Sequence, residues 1–171
     1  MALTLLLGGA RSGKSRLALD AAAAWGGPVL FIATGQAGDE EMAARIARHR
    51  AERPDDWTTL EEPTTLSEAL RTADPATCVV VDCLSLWVSN LLELGWEDEA
   101  VESEAVSAAE AAADREVPTV VVSNEVGLGV VPATTLGRRY RDLLGRVNAI
   151  FAAAADEPVF VVAGRKLRLD R

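Results

Sequence analysis

Several residue types are scarce in this chain, and each scarcity narrows what it can do. Its 171 residues include one histidine, two cysteines and two methionines, and aromatic residues make up 5%. The two cysteines, Cys78 and Cys83, fall on or beside one predicted strand. Alternation sends their side chains to opposite faces, so they are expected as reduced core residues rather than a pair. With few aromatics and much alanine, the apolar 49% suits alanine-rich helices around a branched-aliphatic sheet. Positive charge is also short. A formal net charge of -9 leaves no basic excess for nucleic acid or an anionic membrane, so any anionic ligand must be held by a local pocket. No apolar run approaches the length of a membrane span, and no basic region precedes the first one. This leads to the expectation of a cytoplasmic enzyme, and repeats and low-complexity linkers are absent. Residues 1–171 suffice for one domain with a large core and are too few for two comfortable ones.

The most informative stretch is Gly8-Gly9-Ala10-Arg11-Ser12-Gly13-Lys14-Ser15, directly after the apolar run Leu3-Thr4-Leu5-Leu6-Leu7. It fits G-x-x-x-x-G-K-[ST] at every fixed position and in the strand-to-helix context the motif requires. The glycines let main-chain N–H groups turn inward around phosphate oxygens. Lys14 adds a point charge, and the Ser15 hydroxyl is placed to ligate Mg2+. A helix beginning at about Lys14 turns its positive dipole end to the same anion. The alternative is a glycine-rich turn that binds nothing.

Further along, Arg16 to Trp25 reads as a helix with Leu17, Ala18, Ala21 and Ala24 on a core face, stopped by Gly26-Gly27. The run Val29 to Thr34 is a strand covered on both faces, and Ala33, Thr34 and Gly35 at its carboxyl end are candidate nucleotide contacts. A second helix, Asp39 to Pro54, is acidic at its start and basic at its end. Its spacing puts Met42, Ile46, His49 and Arg53 on one stripe. His49 is the sole histidine, and two readings compete for it: a satisfied core residue, or, with Arg50 and Arg53 nearby, part of an anion-facing site. Trp57 to Pro63 alternates like a short strand ending in Glu61-Glu62. Thr65 to Thr72 suits a short helix. Cys78 to Asp82 is a buried strand ending in an acid, which makes Asp82 the candidate metal-side carboxylate, with helix capping as its alternative. Trp87, Val88, Leu91 and Leu92 form a helical apolar stripe, read as core or subunit contact. Trp96 to Arg115 is an acidic helix whose charges most simply form a solvated face. The strand Thr119 to Asn124 leads into a glycine-bearing loop, Glu125 to Pro132, where Asn124 and Glu125 could meet substrate or metal. A long helix, Thr135 to Asp156, and a last strand, Val159 to Gly164, complete a three-layer α/β pattern with a largely parallel sheet. The Glu61 strand and the last strand are candidates for antiparallel pairing.

Taken together, these segments resemble the bifunctional adenosylcobinamide kinase and adenosylcobinamide-phosphate guanylyltransferase family nearly end to end. The resemblance rests on Gly8 to Ser15, Phe31-Ile32-Ala33-Thr34, and Met42, Arg45, Ile46, His49 and Arg50 after an acidic pair. It continues through Trp57, Glu61-Glu62-Pro63, Asp82-Cys83-Leu84, Ser123 to Gly127, Val131-Pro132 and Arg141-Asp142. It implies a RecA-like P-loop NTPase fold and two reactions on one corrinoid. ATP or GTP phosphorylates adenosylcobinamide, and GMP is then transferred from GTP to the phosphate through a histidine. It implies His49 as that histidine, guanine-nucleotide contacts at residues 8 to 15, 33 to 35 and 50 to 53 (Arg50, Ala51, Glu52, Arg53), Glu61 and Asp82, and a homotrimer. The residue-level chemistry agrees, since a neutral imidazole is an available nucleophile near neutral pH. Rival readings are a small-molecule kinase or ATPase with a structural His49, and a nucleotide-dependent interaction module working through the stripe around Trp87.

Overall fold

The apolar runs at 3–7, 29–33, 78–81 and 119–122 become the middle of a seven-stranded sheet. The computed structural model describes residues 3–169. In chain order the elements are β1 (Leu3–Gly8), α1 (Lys14–Ala23), β2 (Val29–Ala33), α2 (Glu40–Ala51), β3 (Thr58–Glu61), α3 (Leu66–Thr72), β4 (Cys78–Asp82), α4 (Leu84–Glu93), α5 (Asp98–Ala113), β5 (Thr119–Asn124), α6 (Thr135–Ala154), β6 (Glu157–Val162) and β7 (Arg165–Arg168). The strands lie in the order β3-β2-β4-β5-β1-β6-β7. Every pairing is parallel except β6 with β7.

Strands β1, β4 and β5 sit inside the sheet, where both faces are covered, and their β-branched or leucine side chains are buried on each side. One face packs against α3, α4, α5 and α6 through Leu66, Trp87, Val101 and Phe151. The other packs against α1 through Ala18 and Ala22. The result is the expected three-layer α/β architecture with a mostly parallel sheet, and all parallel strands point their carboxyl ends to one edge.

Several expectations are corrected. The core face of α1 is Ala18 and Ala22, whereas Ala21 and Ala24 are exposed. In so alanine-rich a helix the hydropathy contrast is too weak to set its rotation. The Glu61 strand pairs parallel with β2, whereas the Val159 strand is parallel to β1 on one side and, as expected, antiparallel to its neighbour β7 on the other. The antiparallel strand is the basic tail Arg165–Arg168, which turns back at Ala163-Gly164, both at positive φ. Cys78 and Cys83 are free and buried as expected, but in the same core layer. Strand alternation stops at Asp82, so it does not govern where Cys83 points. Trp87, Val88 and Leu91 are wholly buried in the chain's own core, which removes the exposed-stripe argument for a subunit or partner contact there. Nor are the acids of α5 merely solvated: Asp98 and Glu102 accept hydrogen bonds from Arg139 and Arg146 of α6.

Candidate active site

The phosphate loop lies at the carboxyl end of β1, between the ends of β5 and β6. Two of its glycines are demanded by geometry. A Cβ on Gly8 would meet the Val161 carbonyl at 2.5 Å, and Gly13 sits at φ +98°, a conformation unfavourable for other residues. The neighbouring elements hold the loop from both sides. Glu125 N–H donates to Gly8 O (3.1 Å) and Gly164 N–H donates to Ser12 O (2.8 Å). Lys14 is buried, and its Nζ donates to Gly9 O (2.8 Å), folding the ammonium over the loop. Burial is the largest influence on this group and pushes its pKa down, partly opposed by the negative charge of Asp82 nearby. The Ser12 hydroxyl is buried without a hydrogen-bond partner among the described residues. A buried hydroxyl without a partner in this loop is a donor available to an anion held there.

Beside the loop, an open cleft is lined by Ser15, Ala33, Gly35, His49, Arg50, Glu61 and Asp82, among others. Its outer wall is α2. Asp39 caps this helix by accepting from Met42 N–H (2.7 Å), and none of its residues is buried. Met42, Arg45, Ile46, His49, Arg50 and Arg53 all line the cleft, so the stripe read from spacing faces a cavity rather than a core. Arg53 sits over the Phe31 ring, its Cζ 3.6 Å from the centroid, and donates to Thr59 Oγ1 (3.1 Å). Burial depresses its pKa, and its Nε has no hydrogen-bond partner among the described residues. Arg50 stands 4.0 Å from Glu61, both largely exposed.

The remaining sequence candidates divide. Thr34 is wholly buried behind the cleft with its polar groups already engaged: its N–H donates to Asp82 O, its carbonyl accepts from Asn90, and its hydroxyl bonds to Cys83. Ala51 and Glu52 are exposed at the end of α2, away from the cleft, with Glu52 in a shallow hollow beside Arg16 and Trp57. Asn124 donates to Ser85 Oγ (2.8 Å), and the Glu125 carboxylate accepts from Gly127 N–H (2.6 Å). Sequence reasoning did not single out Phe31, Thr59 and Leu86 as cleft residues. Thr59 was reachable, since alternation puts it on the same face of β3 as Glu61. Phe31 figures in the sequence only within the Phe31-Ile32-Ala33-Thr34 run that carries the resemblance, and nothing points to Leu86.

A Mg2+ ion fits the oxygen donors here. The Ser15 hydroxyl and the Asp82 carboxylate line one cleft. A site with two protein oxygens, completed by water and substrate phosphates, is the habit of this hard cation.

Comparison with known proteins adds an independent finding. The family model described as "Cobinamide kinase / cobinamide phosphate guanyltransferase" matches residues 4–169. The chain is 48% identical over 166 residues to the bifunctional adenosylcobalamin biosynthesis protein CobP of Pseudomonas aeruginosa, covering 96% of this chain and 95% of that one. It is 44% identical over 177 residues to the bifunctional protein CobU of Salmonella typhimurium and 41% over 175 to that of Escherichia coli, each match covering 95% of this chain and 96% of the relative.

Proposed function

The chain belongs to the cobinamide kinase / cobinamide phosphate guanyltransferase family, and from that premise we propose how its residues divide the two reactions. It is a bifunctional enzyme of adenosylcobalamin biosynthesis with both activities and uses nucleoside triphosphates. In our reading, residues 1–171 form one catalytic domain in the cytoplasm. ATP or GTP serves the kinase step, GTP serves the guanylyl step, and Mg2+ assists both.

In the first reaction the corrinoid hydroxyl attacks the γ-phosphorus, the bond to the nucleoside diphosphate breaks, and the hydroxyl proton passes to solvent water. Main-chain N–H groups of residues 8 to 13, the Ser12 hydroxyl and Lys14 hold the phosphate oxygens. Ser15 and Asp82 would hold the Mg2+ ion, which when bound neutralises charge on the phosphate oxygens. In the second reaction an uncharged ring nitrogen of His49 attacks the α-phosphorus of GTP and pyrophosphate departs. A phosphate oxygen of the acceptor then displaces the imidazole, breaking the P–N bond and restoring the histidine. Arg50 and Arg53 spread charge on the transferring group, with Arg53 preset by Phe31 and Thr59. Ala33 and Gly35 border the nucleoside, and Glu61 is a candidate partner for the guanine.

The observation that carries this reading is the placement of the sole histidine in one cleft with Ser15 and Asp82, beside the phosphate loop. It favours a nucleophile over a core residue. The test is labelling. GTP carrying label at the α-phosphorus should mark the protein in an acid-labile, base-stable bond, and label at the γ-phosphorus should not. His49→Ala should lose the mark and guanylyl transfer while keeping nucleotide binding and part of the kinase reaction. A folded His49→Ala protein transferring GMP at the unaltered rate would end the proposal. We further propose a homotrimer, by family resemblance; sedimentation showing only monomer at micromolar protein would exclude it.

A further inference from the structure

The segment joining β5 to α6 presents an unusual surface. Val126, Leu128, Val130, Val131 and Leu136 are all exposed, with Leu128 79% and Val130 94% accessible. Exposed aliphatics scattered singly need no explanation, but five within eleven residues of one segment are a concentration of the kind that marks a binding surface. The segment is also held in place at both ends. At its start, Glu125 N–H bonds to Gly8 O of the phosphate loop and the Glu125 carboxylate takes Gly127 N–H. At its end, Arg138 donates to the Pro132 and Ala133 carbonyls (2.9 and 3.0 Å), and the Thr134 hydroxyl accepts from Gly137 N–H. A segment fastened so firmly, yet turning its aliphatics to water, is shaped for something that covers it.

We propose that this ledge, chiefly Leu128, Val130, Val131 and Leu136, is the seat of the corrin macrocycle of the acceptor in both reactions. The assignment rests on the functional reading above, which supplies the acceptor. Its chemistry then selects the place. The corrin is a wide, largely apolar ring rimmed with amides, and its reacting hydroxyl, later a phosphate, must reach the phosphate loop and His49. In that reading the cleft lined by Ser15, His49, Arg50 and Asp82 is taken by the nucleotide, so the corrin must lie outside it. The ledge follows β5, whose neighbours in the sheet are β4, ending at Asp82, and β1, ending at the phosphate loop. A ring lying there has its tethered hydroxyl beside the donor phosphates while the nucleoside keeps the cleft. Elsewhere along this edge, β2 and β3 border the nucleotide cleft.

The experiment uses the full chain with Leu128→Ser and Val130→Ser together. Cobinamide binding is measured without nucleotide by equilibrium dialysis, following the absorption of the corrin. Alongside are measured the KM for cobinamide in the kinase reaction, protein labelling from α-labelled GTP, and the sedimentation coefficient. Affinity should fall about tenfold or more, with KM rising in parallel, because two aliphatic contacts are lost. Labelling and sedimentation should match the unaltered chain, which also shows that the variant is folded. A milder Val130→Ala variant, at a side chain too exposed to support the core, should weaken binding about threefold. Unchanged affinity in both variants overturns the assignment. So does a lowered sedimentation coefficient with affinity recovered at high protein concentration, which would give the ledge to a second copy of the chain. Failure of the unaltered chain to bind or phosphorylate cobinamide is read before any variant and would overturn the functional reading itself.

Discussion

Thr34 and Cys83 exchange two hydrogen bonds across the ends of β2 and β4: Cys83 N–H donates to Thr34 Oγ1 (2.8 Å), and the Thr34 hydroxyl donates to the Cys83 carbonyl (2.7 Å). Asn90 adds a third tie by donating to the Thr34 carbonyl (2.7 Å). This buried knot sits beside Asp82, whose carbonyl accepts from Thr34 N–H. Thr34 therefore acts on the site by holding the strand end that carries the acid.

Thr34→Val keeps the shape but removes the hydroxyl, leaving an N–H and a carbonyl of Cys83 buried without this partner. Stability in urea unfolding should fall by about 1–3 kcal/mol, and the Mg2+ concentration for half-maximal turnover should rise. Thr34→Ser, which keeps the hydroxyl, should recover most of both. A Val variant as stable as the parent would show that the knot contributes nothing.

Lys14→Ala removes a buried cation from over the phosphate loop. Both reactions should lose about 10²-fold or more in kcat/KM, the scale seen when one preorganised charge-stabilising donor is deleted. Steady-state assays of the two steps check this. Retention of either near the parental rate would remove Lys14 from that step.

Asp98 accepts from Arg139 Nε (2.7 Å) and Arg146 (2.8 Å), and these hydrogen bonds hold its carboxyl below the usual carboxylate range. A depressed folded-state pKa means a contribution present above the unfolded value of about 3.9 and lost as pH falls through the lower, folded one. Asp98→Asn should be less stable than the parent by up to about 1 kcal/mol near neutrality, as for a half-exposed pair. That gap should close as pH falls from about 5 toward 2. Thermal unfolding across this range checks it, and a gap independent of pH would mean that packing, not charge, joins α5 to α6. Glu62 adds to the same acid sensitivity. Burial raises its pKa, but hydrogen bonds from Thr64 and Thr65 outweigh that and hold it low.

What could be read directly from the chain was whatever nearest-neighbour physics decides. The phosphate loop is local: glycine spacing, Lys14 and Ser15 specify it in eight residues. The inner strands were equally plain, because an unbroken aliphatic run is stable only when covered on both faces. The helical period placed Met42, Ile46, His49 and Arg53 on one side of α2.

The same period could not say what that side faces. A core and a cleft demand the same stripe, and only the packing of α2 over the ends of β2, β3 and β4 turned it toward a cavity while leaving Ala51 and Glu52 outside. Tertiary structure also buried Trp87 in the chain's own core, set β3 parallel, and made the basic tail an antiparallel strand. Edge-strand direction depends on which neighbour offers unpaired N–H and C=O groups, and that partner is distant in sequence. Thr34 shows the division in one residue. Its position at a strand end follows from the sequence, but its engagement with Cys83 and Asn90 exists only once β2, β4 and α4 meet.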